Sequence, residues 1–324
     1  MAKVAILGAG AWGSALACIA VRAGHRVSIW GRSAQVLDEI NTAHTNRNYL
    51  GKLMLEEAIS ATADLGAAVR DASIILLSVP TQTLAENLKA LETIAPDTVL
   101  VPTCKGIDRS TGMLPCQLVS QTFPQNPVAA LSGPSFATDV VSNLPTAVTI
   151  ASSTQGIAEE LCRALSTDTF RCYANHDVTG VELGGALKNV LALAVGAARG
   201  MQLGASAEAA LIARGFSEIN RLAMTLGAKA DTLTGLSGLG DLVLTCSSEQ
   251  SRNFTYGMAM GRGDSLKGLK LAEGAFTAGV ALELAAQQKI DTPITRAIVN
   301  VLQNNLTARE AVHALLTRPL KRET

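Results

Sequence analysis

Short apolar runs alternate with amphipathic segments over the first 180 residues of the chain. Such runs, rich in Val, Ile and Leu, are typical of strands in a buried parallel sheet, and a 3.6-residue period is typical of helices. The predicted strands are Lys3–Leu7, His25–Trp30, Ser73–Val79, Thr98–Val101, Val128–Leu131, Thr146–Ala151 and Thr169–Tyr173. The predicted helices are a segment that closes at Gly24, then Gln35–Ala43, Thr81–Ile94 and Gln155–Leu165. This alternation predicts an α/β domain built on a parallel sheet.

Beyond residue 180 the strand signals stop, and the pattern becomes helical with Gly-rich turns. The predicted helices are roughly Glu182–Ala198, Ala207–Leu226, Phe254–Met260, Glu273–Gln288, Thr292–Gln303 and Ala308–Leu316. A chain of 324 residues is long enough for two domains. We therefore expect an α/β domain over residues 1–180 and an all-α domain over residues 181–324.

Composition and charge exclude several classes of protein. Hydrophobic residues make up 48% and charged residues 17%, which is typical of a compact globular chain. Lys plus Arg and Asp plus Glu are both 27, so a general nucleic-acid or anionic-membrane surface is not expected. The six cysteines show neither a Cys-x-x-Cys pair nor metal-ligand spacing, which favours a reducing compartment and no metal.

The uncharged segment Val4–Val21 imitates a signal peptide or a short membrane span. Three glycines interrupt it, and a strand-like run follows at once. We interpret the segment as strand, loop and helix, and we expect a cytoplasmic protein without an integral membrane segment.

The first strand leads directly into a Gly-x-Gly-x-x-Gly motif, Gly8-Ala9-Gly10-Ala11-Trp12-Gly13. Gly8 permits a tight turn, Gly10 allows the backbone to approach a pyrophosphate, and Gly13 allows the helix and strand to pack closely. The helix N-terminus then presents free N–H groups to the anion. In this strand–turn–helix–strand context the motif predicts dinucleotide binding. A Gly-rich turn without a ligand and a methyl-donor site on a related fold stay open as alternatives.

The end of the second strand carries information about cofactor preference. An acidic residue there would bind the ribose 2′-OH of NAD. This chain has Arg32 and Ser33 instead, and the side chains of both residues can bind a 2′-phosphate. We therefore predict NADPH, with NADH tolerated; the alternative for Arg32 is a solvated loop charge.

Two further segments lie where predicted parallel strands end, which is where open sheets bind ligands. Lys105 follows the strand that ends near Val101, and the turn Gly133–Ala137 follows the strand that ends at Leu131. Both are candidate site segments, and a solvated Lys105 is the alternative.

Lys188 is the only charge between Glu182 and Arg199, in a helix that is apolar on nearly every face. A lone buried ammonium costs several kcal/mol in effective terms unless it is compensated. Lys188 therefore has a paired carboxylate, a water-filled cleft or a chemical task, or else its side chain reaches the surface.

Two polar patches in the second half are unremarkable when each is taken alone. Asp241 lies among Gly and Leu and is read as a turn residue or a helix cap. Ser251, Arg252 and Asn253 place a hydroxyl, a guanidinium and an amide side by side, a set that can bind phosphate.

Taken together, these motifs resemble the bacterial NAD(P)-dependent glycerol-3-phosphate dehydrogenases over almost the whole chain. The resemblance rests on Gly8–Gly13, Lys105–Ile107, Ser132–Ala137, Glu182–Asn189, Gly238–Leu242, Ser251–Asn253 and Glu273–Gly274. It implies a Rossmann-type domain followed by an all-α domain, as in the 6-phosphogluconate dehydrogenases. It also implies interconversion of dihydroxyacetone phosphate and sn-glycerol 3-phosphate, which supplies phospholipid synthesis.

The resemblance also implies a role for individual residues. Lys188 matches the catalytic lysine. The substrate contacts it implies are Lys105, Gly133, Ser135, Lys188, Asp241, Ser251, Arg252 and Asn253. The nucleotide contacts it implies, beside the three glycines, are Ala11, Trp12, Arg32, Lys105, Ala137, Arg252, Leu271 and Glu273. Ala11 and Ser135 depart mildly from residues common in the family, and neither departure puts the activity in doubt.

The chemistry of these residue types agrees with that reaction. An ammonium such as Lys188 can stabilise negative charge growing on a ketone oxygen and deliver a proton to it. Asp241 is a plausible partner that orients the cations. A hydroxyacid or 6-phosphogluconate dehydrogenase is one alternative, and a non-catalytic NADPH sensor is another. A homodimer is plausible from the apolar second domain.

Overall fold

A computed structural model describes residues 2–91, 94–266, 269 and 272–318. The chain forms two compact units: Met1–Asp108 with Met113–Glu182, and Arg109–Gly112 with Leu183–Thr324. The first unit is α/β and the second is helical, which confirms the predicted fold class.

A five-stranded sheet, entirely parallel, forms the centre of the first unit. Its strands are β1 (Lys3–Leu7), β2 (Arg26–Trp30), β3 (Ile59–Thr62), β4 (Ile74–Leu77) and β5 (Val99–Pro102), in the spatial order β3-β2-β1-β4-β5. In this register Val4 of β1 lies beside Val27 of β2 and Ile74 of β4. All five strands therefore end at one edge of the sheet, where ligands bind in this topology.

A second sheet contains β6 (Ala130–Ser132), β7 (Thr146–Ala151) and β8 (Phe170–Asn175). β7 and β8 are parallel, but β6 is antiparallel to β7, so the prediction of a parallel strand at Val128–Leu131 was wrong for most of its length. Only Val128 makes a parallel bridge to Leu100 of β5. The chain passes from one sheet to the other here, which an apolar run alone does not reveal.

Eight helices lie entirely within the described part of the first unit: α1 (Ala11–Arg22), α2 (Ala34–Ala43), α3 (Arg47–Leu50), α4 (Leu65–Val69), α5 (Thr81–Lys89), α6 (Pro115–Thr122), α7 (Ala137–Val141) and α8 (Ile157–Leu165). α5 ends at Lys89, earlier than the predicted Ile94. The sequence pattern did not predict β3, α3, α4, α6 or α7, all of which are short.

The helical part contains α9 (Val178–Gly200), α10 (Ala205–Thr225), α11 (Ala230–Thr234), a π-helical turn (Leu236–Gly240), α12 (Asp241–Ser247), α13 (Arg252–Arg262), α14 (Glu273–Gln287), α15 (Pro293–Leu302) and α16 (Ala308–Leu316). Within the described residues, α9 alone is long and apolar enough to cross a membrane, and its apolar window is completely buried. This burial is typical of the core helix of a folded domain.

Four glycines bring α9 and α13 into backbone contact. A Cβ atom on Gly196 or Gly200 would collide with the carbonyl oxygen of Phe254 or Met258 in α13. A Cβ atom on Gly257 or Gly261 would collide with a carbonyl oxygen of α9. Residue numbers rise together along the two helices, so the helices run parallel and interlock through glycines on both sides.

Candidate active site

The turn between β1 and α1 has the geometry of a phosphate-binding loop. Gly8 has φ +122°, and an added Cβ would lie 2.8 Å from the carbonyl oxygen of Ser78. A Cβ on Gly13 would collide with the carbonyl oxygen of Gly8, so both positions require glycine. At Gly10 the space where a Cβ would stand is open to 4 Å.

The N-terminus of α1 is left free to receive an anion. Its N-cap residue, Gly10, makes no side-chain cap hydrogen bond, and the first turn, which starts with Ala11, contains no acidic residue. The indole Nε1 of Trp12 is buried and has no hydrogen-bond partner among the described residues. Unpaired donors and an open approach fit the pyrophosphate of a dinucleotide.

Arg32 follows the carboxyl end of β2 and is exposed, in the place where an NAD-specific site would carry an acid. No ion pair of Arg32 is found within the described part of the chain. The neighbouring Ser33 accepts a hydrogen bond from the backbone N–H of Val36 at 3.4 Å and caps α2. The exposed guanidinium fits a 2′-phosphate.

Lys105 and the turn after β6 form one polar cluster. The Nζ of Lys105 donates to the carbonyl oxygen of Gly133 at 3.1 Å, and the Oγ of Ser135 donates to the same oxygen at 3.0 Å. Gly133 has φ +153°, and a Cβ there would lie 2.8 Å from the Cα of Val148. Ala137, half-buried, begins α7 directly after this turn.

Hydrogen bonds at the sheet edge connect this region to the Gly-rich turn. The hydroxyl of Ser78, whose carbonyl oxygen lies against Gly8, is 2.7 Å from the hydroxyl of Thr103. Thr103 follows β5 and lies two residues before Lys105. The ends of β1, β4 and β5 thus meet at one edge, as the sequence predicts for parallel strands.

Lys188 is buried in α9 and is paired. Its Nζ lies 2.5 Å from the Oδ1 of Asp241 and donates to the Oγ1 of Thr245 at 2.6 Å. Asp241 is 1% exposed and is the first residue of α12. Burial raises the pKa of the neighbouring Cys246 thiol to about 12, so this thiol stays protonated.

Close packing of two glycines brings α9 to the start of α12. A Cβ on Gly184 would lie 2.8 Å from the carbonyl oxygen of Ser237 and 3.0 Å from the Cα of Gly238, in the π-helical turn. Asp241 and Thr245 are one helical turn apart and therefore face the same side. The sequence pattern did not predict α12, so it assigned no role to Thr245.

The start of α13 holds Ser251, Arg252 and Asn253. The Oγ of Ser251 accepts from the backbone N–H of Phe254 at 3.2 Å and caps the helix. Arg252 is exposed in the first turn, where a positive charge opposes the helix dipole unless an anion is present. A cation beside free helical N–H groups fits a phosphate.

Asn253 connects three helices. Its Nδ2 donates to the Oδ1 of Asn189 in α9 at 2.9 Å, and its Oδ1 accepts from the backbone N–H of Gly274 in α14 at 2.8 Å. Glu273, the first residue of α14, is half-buried. Leu271, the remaining predicted nucleotide contact, lies outside the described residues. Asn189 had no predicted role, although it stands next to Lys188 in the sequence.

Solved structures share this architecture. Glycerol-3-phosphate dehydrogenase from Coxiella burnetii is 38% identical, with a TM-score of 0.92 and coverage of 98% of this chain and 99% of that chain. Glycerol-3-phosphate dehydrogenase from Saccharomyces cerevisiae shares the fold, with a TM-score of 0.82 at 24% identity. The match covers 96% of this chain and 98% of that chain. D-mandelate dehydrogenase likewise shares only the fold, with a TM-score of 0.62 at 15% identity. The match covers 96% of this chain and 99% of that chain.

Fold and site together define an NAD(P)-dependent dehydrogenase that combines a Rossmann-type domain with an all-helical domain. The family models for the N-terminus and C-terminus of NAD-dependent glycerol-3-phosphate dehydrogenase match residues 3–158 and 177–313. A glycerol-3-phosphate dehydrogenase [NAD(P)+] from Chelativorans sp. is 49% identical over 99% of this chain and 98% of the relative. A second relative of that name, from Mesorhizobium japonicum, is 48% identical over 99% of this chain and 94% of the relative. The chain therefore belongs to the NAD-dependent glycerol-3-phosphate dehydrogenase family, which confirms the resemblance seen in its motifs.

Proposed function

We propose that this chain reduces dihydroxyacetone phosphate to sn-glycerol 3-phosphate with NADPH, accepts NADH less well, and also runs the reverse reaction. The observation that carries the proposal is the buried ammonium of Lys188, bonded to Asp241 and Thr245. The names of the relatives from Chelativorans and Mesorhizobium support the substrate. We place the enzyme in the cytoplasm and its product in glycerophospholipid synthesis.

Lys188 serves as the proton donor. When bound, the nicotinamide supplies the hydride. Negative charge then grows on the ketone oxygen, and the ammonium of Lys188 stabilises that charge and transfers a proton to the oxygen. Asp241 and Thr245 both bind the Nζ, so they fix its position before the substrate arrives.

Arg252 and the N-terminal turn of α13 bind the substrate phosphate. A guanidinium forms charge-assisted hydrogen bonds to phosphate, and the helix dipole adds to the attraction. The full set of substrate contacts is Lys105, Gly133, Ser135, Lys188, Asp241, Ser251, Arg252 and Asn253. Binding the remote phosphate allows its binding energy to serve the reacting carbonyl.

The Gly-rich turn supports one part of the proposed dinucleotide site, and the family resemblance implies the rest. The N–H groups at the start of α1 receive the pyrophosphate, and Arg32 receives the 2′-phosphate. The full set is Gly8, Gly10, Ala11, Trp12, Gly13, Arg32, Lys105, Ala137, Arg252, Leu271 and Glu273.

The test is oxidation of NADPH by the purified protein with dihydroxyacetone phosphate, followed by nicotinamide absorbance. Lys188→Ala should lose rate by a factor of ~10² or more, the scale of general acid catalysis, and still bind NADPH. The matched control is Lys89→Ala, which removes an exposed ammonium from the last turn of α5 and should leave the rate within about twofold. Near-normal turnover in Lys188→Ala would remove Lys188 from this role.

Two further arms of the assay complete it. Breaking a buried ion pair costs about 3–5 kcal/mol, so Lys188→Met with Asp241→Asn provides a variant without an uncompensated charge if the single variant does not fold. NADH run alongside tests the cofactor: a higher catalytic efficiency with NADH than with NADPH would contradict the role of Arg32.

A further inference from the structure

Asn46 is a fully buried amide whose side chain does not serve its own helix. It is 0% exposed and is the N-cap residue of α3. Asn at this position usually caps the helix with its side chain. Here the side chain makes no cap hydrogen bond, and only the backbone carbonyl accepts from the N–H groups of Tyr49 and Leu50. The amide is therefore directed elsewhere.

The amide of Asn46 reaches the Gly-rich turn. Its Nδ2 donates to the carbonyl oxygen of Ala9 at 3.0 Å and to the Oγ of Ser14 at 2.9 Å. Ala9 lies between Gly8 and Gly10, and Ser14, itself 0% exposed, lies in the first turns of α1. A carbonyl oxygen only accepts, so the NH₂ of the amide must face Ala9.

The bond to Ala9 sets the direction of a neighbouring donor. The carbonyl of Ala9 and the N–H of Gly10 belong to one planar trans peptide, so they point in opposite directions. Holding the carbonyl towards Asn46 therefore aims the Gly10 N–H away from Asn46. Because Gly10 lacks a Cβ, its φ torsion does little to hold this peptide plane in place.

Hydrogen bonds to Glu39 hold the segment around Asn46 in place. A single carboxylate oxygen of Glu39, in α2, accepts from the hydroxyl of Thr45 at 2.7 Å and from the backbone N–H of Arg47 at 2.9 Å. The Oδ1 of Asn46 is buried and has no partner within the described residues, which costs stability. Its donors are thus satisfied at the turn, and its acceptor is not.

We propose that Asn46 is a positioning residue for cofactor binding: it fixes the Ala9–Gly10 peptide so that the turn is ready to receive the pyrophosphate. This inference rests on the nucleotide binding proposed above. Positioning of this kind lowers the ordering cost of binding, so its loss weakens NADPH affinity and leaves the chemical step unchanged.

The test measures the NADPH Kd, the kcat and KM for dihydroxyacetone phosphate, and urea unfolding, in wild type, Asn46→Asp and Asn46→Ser. Asn46→Asp replaces the Nδ2 donor with an oxygen. Asn46→Ser shortens the side chain so that it no longer reaches Ala9, and it adds no charge. The second variant keeps the test decisive if the first does not fold. We expect a Kd at least tenfold higher in each, with kcat at saturating NADPH within about twofold. Ser14→Ala removes only the second acceptor, so its Kd should stay within about twofold.

Asn126→Asp is the matched control. Asn126 also donates to two backbone carbonyls, those of Ala95 and Thr98, but before β5 and not at its carboxyl end. It should lower stability and leave the Kd unchanged. If Asn46 variants lose only stability, as Asn126→Asp does, or if Ser14→Ala raises the Kd as much as they do, the positioning role is overturned. Failure of wild type to bind NADPH would overturn the proposed function and this inference with it.

Discussion

Lys188 shows how one ammonium is kept inside an apolar helix. Its residue type and spacing predict that it needs compensation, and leave open a paired carboxylate, a water-filled cleft or an escape to the surface. The structure pairs it with Asp241, and the two side chains are 8% and 2% exposed. Asp241 was expected as a partner of the site's cations once the family resemblance was known. Spacing alone could not identify it, because it lies 53 residues away on a helix that the sequence pattern did not reveal.

Arg252 offers a test of phosphate binding by a single side chain. A hydrogen bond to a charged group is worth about 1.5–3 kcal/mol, so Arg252→Ala should raise the KM for dihydroxyacetone phosphate at least ~10-fold. Arg262→Ala is the control, since Arg262 ends the same helix and pairs with Asp264 at 2.7 Å. Steady-state kinetics at saturating NADPH measure both variants, and an unchanged KM in Arg252→Ala would refute the phosphate assignment.

At the scale of elements, the interlocked glycines of α9 and α13 set the spacing of two site-bearing helices. Lys188 and Asn189 lie on α9, and Asn253 lies on α13, bonded to Asn189. The contact is between backbones, so no side chain can repack to absorb an added methyl group. The distance between Lys188 and the start of α13 therefore depends on the four positions being glycine, without side chains.

Gly257→Ala tests this spacing. Overpacking usually costs about 1–3 kcal/mol, and a misplacement near 1 Å can cost ~10² in rate, so both the unfolding free energy and kcat/KM should fall. Gly279→Ala in α14 is the control, because nothing lies within 4 Å of its Cβ position. There the gain in helix propensity should stabilise by up to about 1 kcal/mol. Urea unfolding and kinetics compare the two, and equal effects would contradict the spacing role.

At the scale of the whole molecule, Glu182 makes stability depend on pH. Its Oε1 accepts from the backbone N–H of Cys116 at 2.8 Å, and burial raises its pKa from 4.5 to about 7. The contribution of Glu182 to stability is thus fully present below pH 4.5 and is lost as pH rises through about 7. At ~1.4 kcal/mol per pKa unit, the loss is about 3 kcal/mol.

Glu182→Gln removes this titration and keeps an oxygen that can accept from Cys116. Urea unfolding from pH 5 to pH 8 should show that the free energy of unfolding of the variant rises relative to that of wild type as pH rises, by up to about 3 kcal/mol. Glu57→Gln, at an exposed carboxylate, should follow wild type throughout. Parallel curves for Glu182→Gln and wild type would mean that Glu182 does not titrate in this range.

The fold could be predicted where a pattern is long or repeated. The Gly-rich motif with its strands, and the helices from α9 to α16 that exceed seven residues, were found from periodicity. β3 is only Ile59–Thr62 and half exposed, and the π-helical turn and α12 begin in a Gly-rich stretch that reads as a loop. Asn46 lies outside every predicted helix and strand, and the pattern could not indicate its burial, which depends on contacts with residues more than thirty positions away.

The glycine contact of α9 and α13 also limits how this enzyme can acquire new substrates. Spreading the two helices to admit a longer or bulkier phosphorylated ketone would open the backbone contact that the four glycines form and would lose its packing. Shorter side chains beside Lys188 give room without that loss, and they spare Arg252 in the first turn of α13, which the proposed phosphate contact needs. A directed-evolution library would therefore vary those side chains and leave the four glycines as they are.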